Sequence, residues 1–131
     1  ILDFEDHSSP GHGIGITGPI RNFAVDACMD LQSSGWGESV NANTRGCVEG
    51  RNVQGWYLVQ APEPGYVSIK NAYSKKCLGG DSDEDTGELE GNIRQWWCRY
   101  DQFGQQYSMI EVEEDVYQIE SRDNPGQCIR V

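Results

Sequence analysis

Ile20-Arg-Asn-Phe-Ala-Val-Asp-Ala-Cys28-Met-Asp-Leu31 and Ile69-Lys-Asn-Ala-Tyr-Ser-Lys-Lys-Cys77-Leu-Gly-Gly80 are the two stretches whose comparison decides the fold. Each places an Ile-x-Asn triplet the same distance ahead of a cysteine. A third copy begins at Ile119 and reaches Cys128 one residue later than the others do. The three cysteines therefore follow one another at steps of 49 and 51. Two further features keep the same step. Gln54-Gly-Trp56 returns as Gln105-Gln-Tyr107, and Cys47 returns as Cys98, each after 51 residues. Independent features sharing one period mark an internal repeat, and a repeat takes precedence over any local motif in assigning a fold.

Within a unit the local signals are those of strands. Trp56-Tyr-Leu-Val-Gln60 runs into a turn at Pro62-Glu-Pro-Gly65 and leaves as Tyr66-Val-Ser-Ile-Lys70. Tyr107-Ser-Met-Ile-Glu-Val112 turns at Glu113-Glu-Asp115 and leaves as Val116-Tyr-Gln-Ile-Glu120. Aromatic and β-branched runs bounded by Pro, Gly and Asp predict hairpins. No helix-length segment keeps a 3.6-residue apolar period. The expected class is all-β, with short strands in a closed sheet or sandwich.

The chain has 131 residues, of which 16 are Gly and 5 Pro, as suits a turn-rich fold. Ten basic against 21 acidic side chains give a net charge of −11. Phosphate binding needs clustered Lys and Arg, so this balance argues against a nucleic-acid partner and against anionic membranes. No apolar run approaches the ~20 residues of a membrane span. The N-terminal Ile1 suggests a processed terminus or an excised fragment.

The five cysteines carry more information. Cys28 and Cys47 lie 19 residues apart, and Cys77 and Cys98 lie 21 apart. Their equivalence under the repeat makes Cys28–Cys47 and Cys77–Cys98 the economical pairing. Disulfides imply a secreted, extracellular protein. On the same spacing the partner of Cys128 would lie about 20 residues beyond Cys128, so Cys128 is expected to be unpaired or to have a partner outside these residues. Stepping back one period from Trp56 reaches Phe4 or Glu5, which predicts that Ile1-Leu-Asp-Phe4 is the last strand of a split third unit. The expected organisation is one domain over 1–131, with repeats 20–68 and 69–118 and a third made of 119–131 plus 1–19. A partner chain completing the third repeat is one expectation of that arrangement, because open strand edges attract other strands.

The combined pattern resembles the ricin-B-type β-trefoil lectins, whose units read Ile-x-Asn … Cys-Leu-Asp … Cys … Gln-x-Trp. The match runs Ile20-Arg-Asn22, Cys28-Met-Asp30, Cys47, Gln54-Gly-Trp56, and again Ile69-Lys-Asn71, Cys77-Leu78, Cys98, Gln105-Gln-Tyr107. The resemblance implies a β-trefoil, with six strands in a barrel and six capping it around a pseudo-three-fold axis. It also implies a non-catalytic module that binds a glycan or glycoprotein, of galactose type or related, without a cofactor.

A neutral sugar is held by a carboxylate or amide that accepts adjacent hydroxyls and by an aromatic ring against its apolar face. In the family the acid follows Cys-Leu and the aromatic precedes the second cysteine by two. Carried over, the first unit has Asp30 as acid, Arg45 at the stacking position and Gln54 as motif glutamine, with Trp36 as a substitute ring. The second has Trp96 at the stacking position and Gln105, with Gly79 in place of the acid and Asp81 or Asp83 as stand-ins. The third has Arg130 at the acid position. The expected ligand-binding set is therefore Asp30, Arg45, Gln54, Trp96 and Gln105. In this family the motif Gln and its aromatic mainly support the core. Weakened acid positions also suit a second class of function, a degenerate trefoil serving as the interaction or cell-binding subunit of a secreted multi-subunit protein such as a toxin.

Other motifs carry less. Gly13-Ile-Gly15-Ile-Thr-Gly18 matches a dinucleotide fingerprint in letters, but Pro19 and a strand-like segment follow where a helix is required. Asp81-Ser-Asp83-Glu-Asp85-Thr86 lacks the glycine and the terminal glutamate of an EF-hand loop, so it is expected as a solvated acidic loop. His7 and His12 share a Ser- and Gly-rich stretch with no triad or metal-ligand context.

Overall fold

The computed structural model describes residues 17–32, 37, 38, 40–82 and 89–129. The expected strand at 1–4, His7, His12, Trp36, Asp83 and Arg130 lie outside the described residues, as does the side chain of Asp81.

Nine strands lie among the described residues: β1 (Thr17–Gly18), β2 (Cys28–Leu31), β3 (Ala42–Arg45), β4 (Trp56–Gln60), β5 (Val67–Asn71), β6 (Cys77–Ser82), β7 (Leu89–Trp96), β8 (Tyr107–Glu113) and β9 (Val116–Ser121). Every pairing is antiparallel. The larger sheet runs β1-β4-β5-β6-β7, with β8 joined to β5 and to β9, while β2 and β3 form a separate hairpin. The architecture is a β-trefoil, and its two main hairpins form where the turn chemistry predicts. Between β4 and β5, Gly65 takes φ +95°, a left-handed conformation that favours glycine. The Ala61 N–H donates to Tyr66 O across the same turn.

The repeat is also visible in the hydrogen bonds. Arg21 bridges Cys28 and Glu120 bridges Cys128, and the β5–β6 ladder brings Lys70 opposite Cys77. The Met29 and Ile129 N–H groups donate to Ile20 O and Ile119 O, each at 2.8 Å. Trp56 pairs with Asn71 as Tyr107 pairs with Ser121. The aromatic of each motif aims its polar atom at the residue after the first cysteine. Trp56 Nε1 donates to Met29 O at 3.1 Å, and Tyr107 OH donates to Leu78 O at 3.4 Å. Trp and Tyr fill these two positions because each pairs a large apolar body with one polar atom that needs a buried partner. Burial also pushes the Tyr107 phenol pKa up.

The core is one cluster drawn from β2, β4, β5, β6, β8 and β9, with Ile20 and Val53 added from between strands: Ile20, Met29, Leu31, Val53, Trp56, Leu58, Val67, Ile69, Leu78, Tyr107 and Ile119. On β4 burial alternates, with Trp56 and Leu58 inward. β5 is buried nearly throughout because it is paired on both edges and covered on both faces. Two disulfides, Cys28–Cys47 and Cys77–Cys98, tie the ends of the β2–β3 and β6–β7 hairpins, with Cα–Cα distances of 5.0 and 4.9 Å. Cys128 is exposed beside Ile129.

Closing a loop of this size restricts the unfolded chain and is worth about 3 kcal/mol. A chain carrying both Cys77→Ser and Cys98→Ser should lose about that much in urea unfolding. A loss below about 1 kcal/mol would show that packing alone holds the second hairpin.

Candidate functional site

The stacking positions of the two units occupy the same register. Arg45 faces Cys28 across β2–β3, and Trp96 faces Cys77 across β6–β7. The acid positions match likewise, with Asp30 opposite Asn43 and Gly79 opposite Arg94.

The motif glutamines act alike in both units. Gln54 Nε2 donates to Gly46 O at 3.0 Å, and its Oε1 accepts from the Val48 N–H at 2.9 Å. Gln105 Nε2 donates to Trp97 O at 3.1 Å, and its Oε1 accepts from the Arg99 N–H at 2.8 Å. Each amide thus grips the backbone on both sides of the unit's second cysteine. Glutamine suits the position because one planar group supplies both donor and acceptor. Both side chains are buried and engaged with the scaffold.

Around this shared frame the two units differ. In the first, the Asp30 side chain has no exposure, and Arg51 clasps it in a bidentate pair, Nε to Oδ2 at 2.6 Å and Nη2 to Oδ1 at 3.0 Å. Gln54 adds a third bond to Oδ2 at 2.9 Å. A guanidinium fork presents donors much as two sugar hydroxyls would. A hydroxyl pair reaching for Asp30 must therefore displace Arg51. Burial raises the Asp30 pKa, but the bonds from Arg51 and Gln54 and the Arg51 charge outweigh it and hold the carboxyl below its ordinary value. Arg45 is exposed on β3.

In the second unit the site is open. A cleft of about 650 Å³ is lined by Glu38, Gly79, Gly80, Trp96, Arg99, Gln102, Phe103, Gly104, Gln105 and Asp123. Gly79 is glycine for a steric reason. A β-carbon there would lie 2.8 Å from Trp96 Cδ1 and 3.2 Å from Nε1, so the indole rests directly on bare backbone. The position that carries the acid in the first unit is closed to any side chain unless Trp96 moves. Gln102 stands where the repeat puts the counterpart of Arg51. Phe103 is half exposed, and the Arg122 guanidinium lies 3.6 Å from its ring centre and 4.0 Å from that of Tyr66. Arg122 is held in turn by Gln106 Oε1 at 2.7 Å and by Glu63.

One wall of this cleft comes from the first unit. The loop after β2 is clamped to β7: Gln95 Nε2 donates to Gly37 O at 2.7 Å, the Gln95 N–H donates to Val40 O at 2.9 Å, and Asn41 bridges Arg94. Glu38 Oε1 accepts from the Trp97 N–H at 3.1 Å. The lining also includes Asp123, beyond β9. Of the expected ligand set, Trp96 and Gln105 meet in this cleft, while Asp30 and Gln54 meet beneath Arg51. Glu38, Arg99, Gln102, Phe103, Asp123 and Arg51 had no motif to announce them. The repeat step alone aligns Arg51 with Gln102, and nothing in the spacing points to Glu38 or Asp123. Among the described residues no cluster of His, Cys, Asp and Glu could hold a metal, and no helix is long and apolar enough to cross a membrane.

The Asp30–Arg51 pair has a pH signature. A carboxyl whose folded pKa is depressed adds stability above its unfolded pKa and loses that share as pH falls through the folded value. The gap in Tm between the wild-type chain and Arg51→Met should therefore be wide at about pH 6 and narrow towards about pH 3 as Asp30 protonates. A gap independent of pH would mean that the pair contributes by packing alone.

Among known proteins, the model of the family described as "Ricin-type beta-trefoil lectin domain-like" matches residues 52–131. No curated protein matches the chain in sequence. Solved structures share its fold at low identity. The designed three-fold symmetric protein ThreeFoil superposes with a TM-score of 0.65 at 19% identity, over 78% of this chain and 69% of that one. The cytolethal distending toxin from Actinobacillus actinomycetemcomitans gives 0.66 at 12% identity, over 86% and 67%. The Polyporus squamosus lectin, solved with the epitope Neu5Aca2-6Galb1-4GlcNAc, gives 0.64 at 16% identity, over 92% and 43%. With the repeat, the paired disulfides and the glutamine clamps already in place, the family match makes this chain a member of the ricin-type β-trefoil lectin domain-like family.

Proposed function

We propose that the chain is a non-catalytic, secreted carbohydrate-binding module that takes a galactose-type or related glycan weakly in the cleft of the second unit. The observation that carries this reading is the cleft itself, where the Trp96 and Phe103 rings share a solvent-open hollow with the Glu38, Gln102 and Asp123 side chains. An aromatic surface with hydrogen-bonding groups around it is what a pyranose requires, since the ring meets the apolar face and the polar groups meet the hydroxyls. Membership of a lectin-type family supports the same reading. So does the fold shared with a fungal lectin that was solved with a galactose-containing epitope. The two disulfides support export to an oxidising compartment. In the first unit, Arg51 occupies Asp30, so Asp30, Arg45 and Gln54 form at most a secondary site. A single shallow site gives low affinity, and useful binding then depends on several copies acting together.

A second reading has its own observations. Ile110 and Val112 are exposed at the outer end of the β8–β9 hairpin, and the fold is shared with cytolethal distending toxin structures. Both support a role as a protein-contacting subunit of a secreted assembly.

The two readings separate on a glycan array probed with a multivalent form of the chain. Retention on galactose-terminated glycans, lost by at least about tenfold in Trp96→Ala, is the expected result. Binding that survives Trp96→Ala places the sugar elsewhere, and an array with no retained glycan favours the subunit reading.

A further inference from the structure

We infer that the acid absent from position 79 of the second unit is supplied across the unit boundary, by Glu38 of the first unit together with Asp123 beyond β9, and that this cleft selects neutral over acidic sugars. The inference rests on the sugar-binding reading above. Gly79 cannot carry the acid, because a β-carbon there would sit 2.8 Å from the Trp96 indole. A ligand stacked on Trp96 finds no acid at position 79, and among the described side chains both carboxylates that line the cleft come from outside the β6–β7 hairpin.

Glu38 is placed for the role by backbone contacts rather than by chance. The loop that bears it is tied to β7 through Gln95, which bonds Gly37 O and Val40 O, and through the Asn41–Arg94 bridge. Gln95 is itself fully buried, and its Oε1 accepts from the Ser74 hydroxyl at 2.6 Å. The Trp97 N–H fixes Glu38 Oε1 at 3.1 Å, next in sequence to the indole of Trp96. Among the described residues Oε2 has no other partner, so one oxygen is anchored and the other is available to accept a hydroxyl. A carboxylate held in this way loses little side-chain freedom when it binds a ligand. Asp123, which also lines the cleft, provides a second acceptor. Among the described residues that line the cleft, two carboxylates stand against the guanidinium of Arg99, while Arg122 beside Phe103 is already engaged by Gln106 and Glu63. In a chain of net charge −11 this balance disfavours a sialic acid or a sulfated sugar and leaves hydroxyl donation as the means of recognition.

Titration calorimetry of the intact chain with methyl β-galactoside and with its sialylated lactose counterpart tests this, using wild type, Glu38→Gln, Asp123→Asn and Trp96→Ala. Glu38→Gln keeps an oxygen for the Trp97 N–H and removes only the charge, so its Tm should stay close to that of wild type. The expected result is neutral-sugar binding weakened about tenfold or more by Glu38→Gln, with preference for the neutral ligand reduced in both acid variants. Loss of binding in Trp96→Ala with none in Glu38→Gln or Asp123→Asn overturns the inference and leaves the sugar-binding reading standing. Equal or tighter wild-type binding of the sialylated ligand overturns the selectivity. Absence of binding to any sugar by wild type overturns both.

Discussion

In each unit the chain between the second cysteine and the next strand runs outside any ladder, and one buried glutamine holds it. Gln54 bonds the carbonyl before Cys47 and the N–H after it, and Gln105 does the same around Cys98. Without these bonds, backbone groups beside a disulfide would be left to water or to nothing, at a cost comparable to a lost hydrogen bond each. The clamp also sets the following 3-10 turns, Asn52–Gln54 and Phe103–Gln105, and so delivers Trp56 and Tyr107 to the core. Arg51 beside Asp30 in the first unit, and Gln102, Phe103, Gly104 and Gln105 in the cleft of the second, lie on or next to those turns. The rest of each unit depends on this small piece of amide chemistry.

On that common frame the two units have taken opposite courses. The first keeps its acid and buries it, with Arg51 and Gln54 providing the donors that a buried carboxylate needs. The second drops the acid, lets the Trp96 indole settle on Gly79, and keeps an open cleft. Each change requires its companion. An open Asp30 would not need Arg51, and an aspartate at position 79 would collide with Trp96. The pairings Asp30 with Arg51 and Gly79 with Trp96 are therefore better regarded as two alternative packings of one site than as independent substitutions.

Much of the fold was legible before any coordinates. The period of about 50 residues aligned the cysteines, the Ile-x-Asn triplets and the Gln-x-aromatic motifs. The disulfide pairing followed from that alignment, and the hairpins β4–β5 and β8–β9 begin and end within a residue or so of the runs that predicted them. The candidate site was legible only in part. Trp96 and Gln105 were identifiable by position. Arg51 is not legible in the sequence, because an arginine near a turn reads as a solvated charge and its carboxylate partner is 21 residues away. Glu38 is not legible either, because its neighbour in space, Trp97, is 59 residues away and belongs to another unit.

The amino-acid sequence by itself determined the repeating unit, its strands, its cross-links and the aromatic and amide anchors of its core. Those features are carried by residues at fixed separations within one unit, and covalent and ladder geometry turn fixed separations into fixed positions. The tertiary structure alone decided which acid is closed and which cleft is open. That outcome depends on how close an indole lies to a bare glycine, on which guanidinium reaches a buried carboxylate, and on which loop of one unit is clamped to a strand of the next. These are packing relations between units, set by distances of a few ångströms that no spacing along the chain encodes.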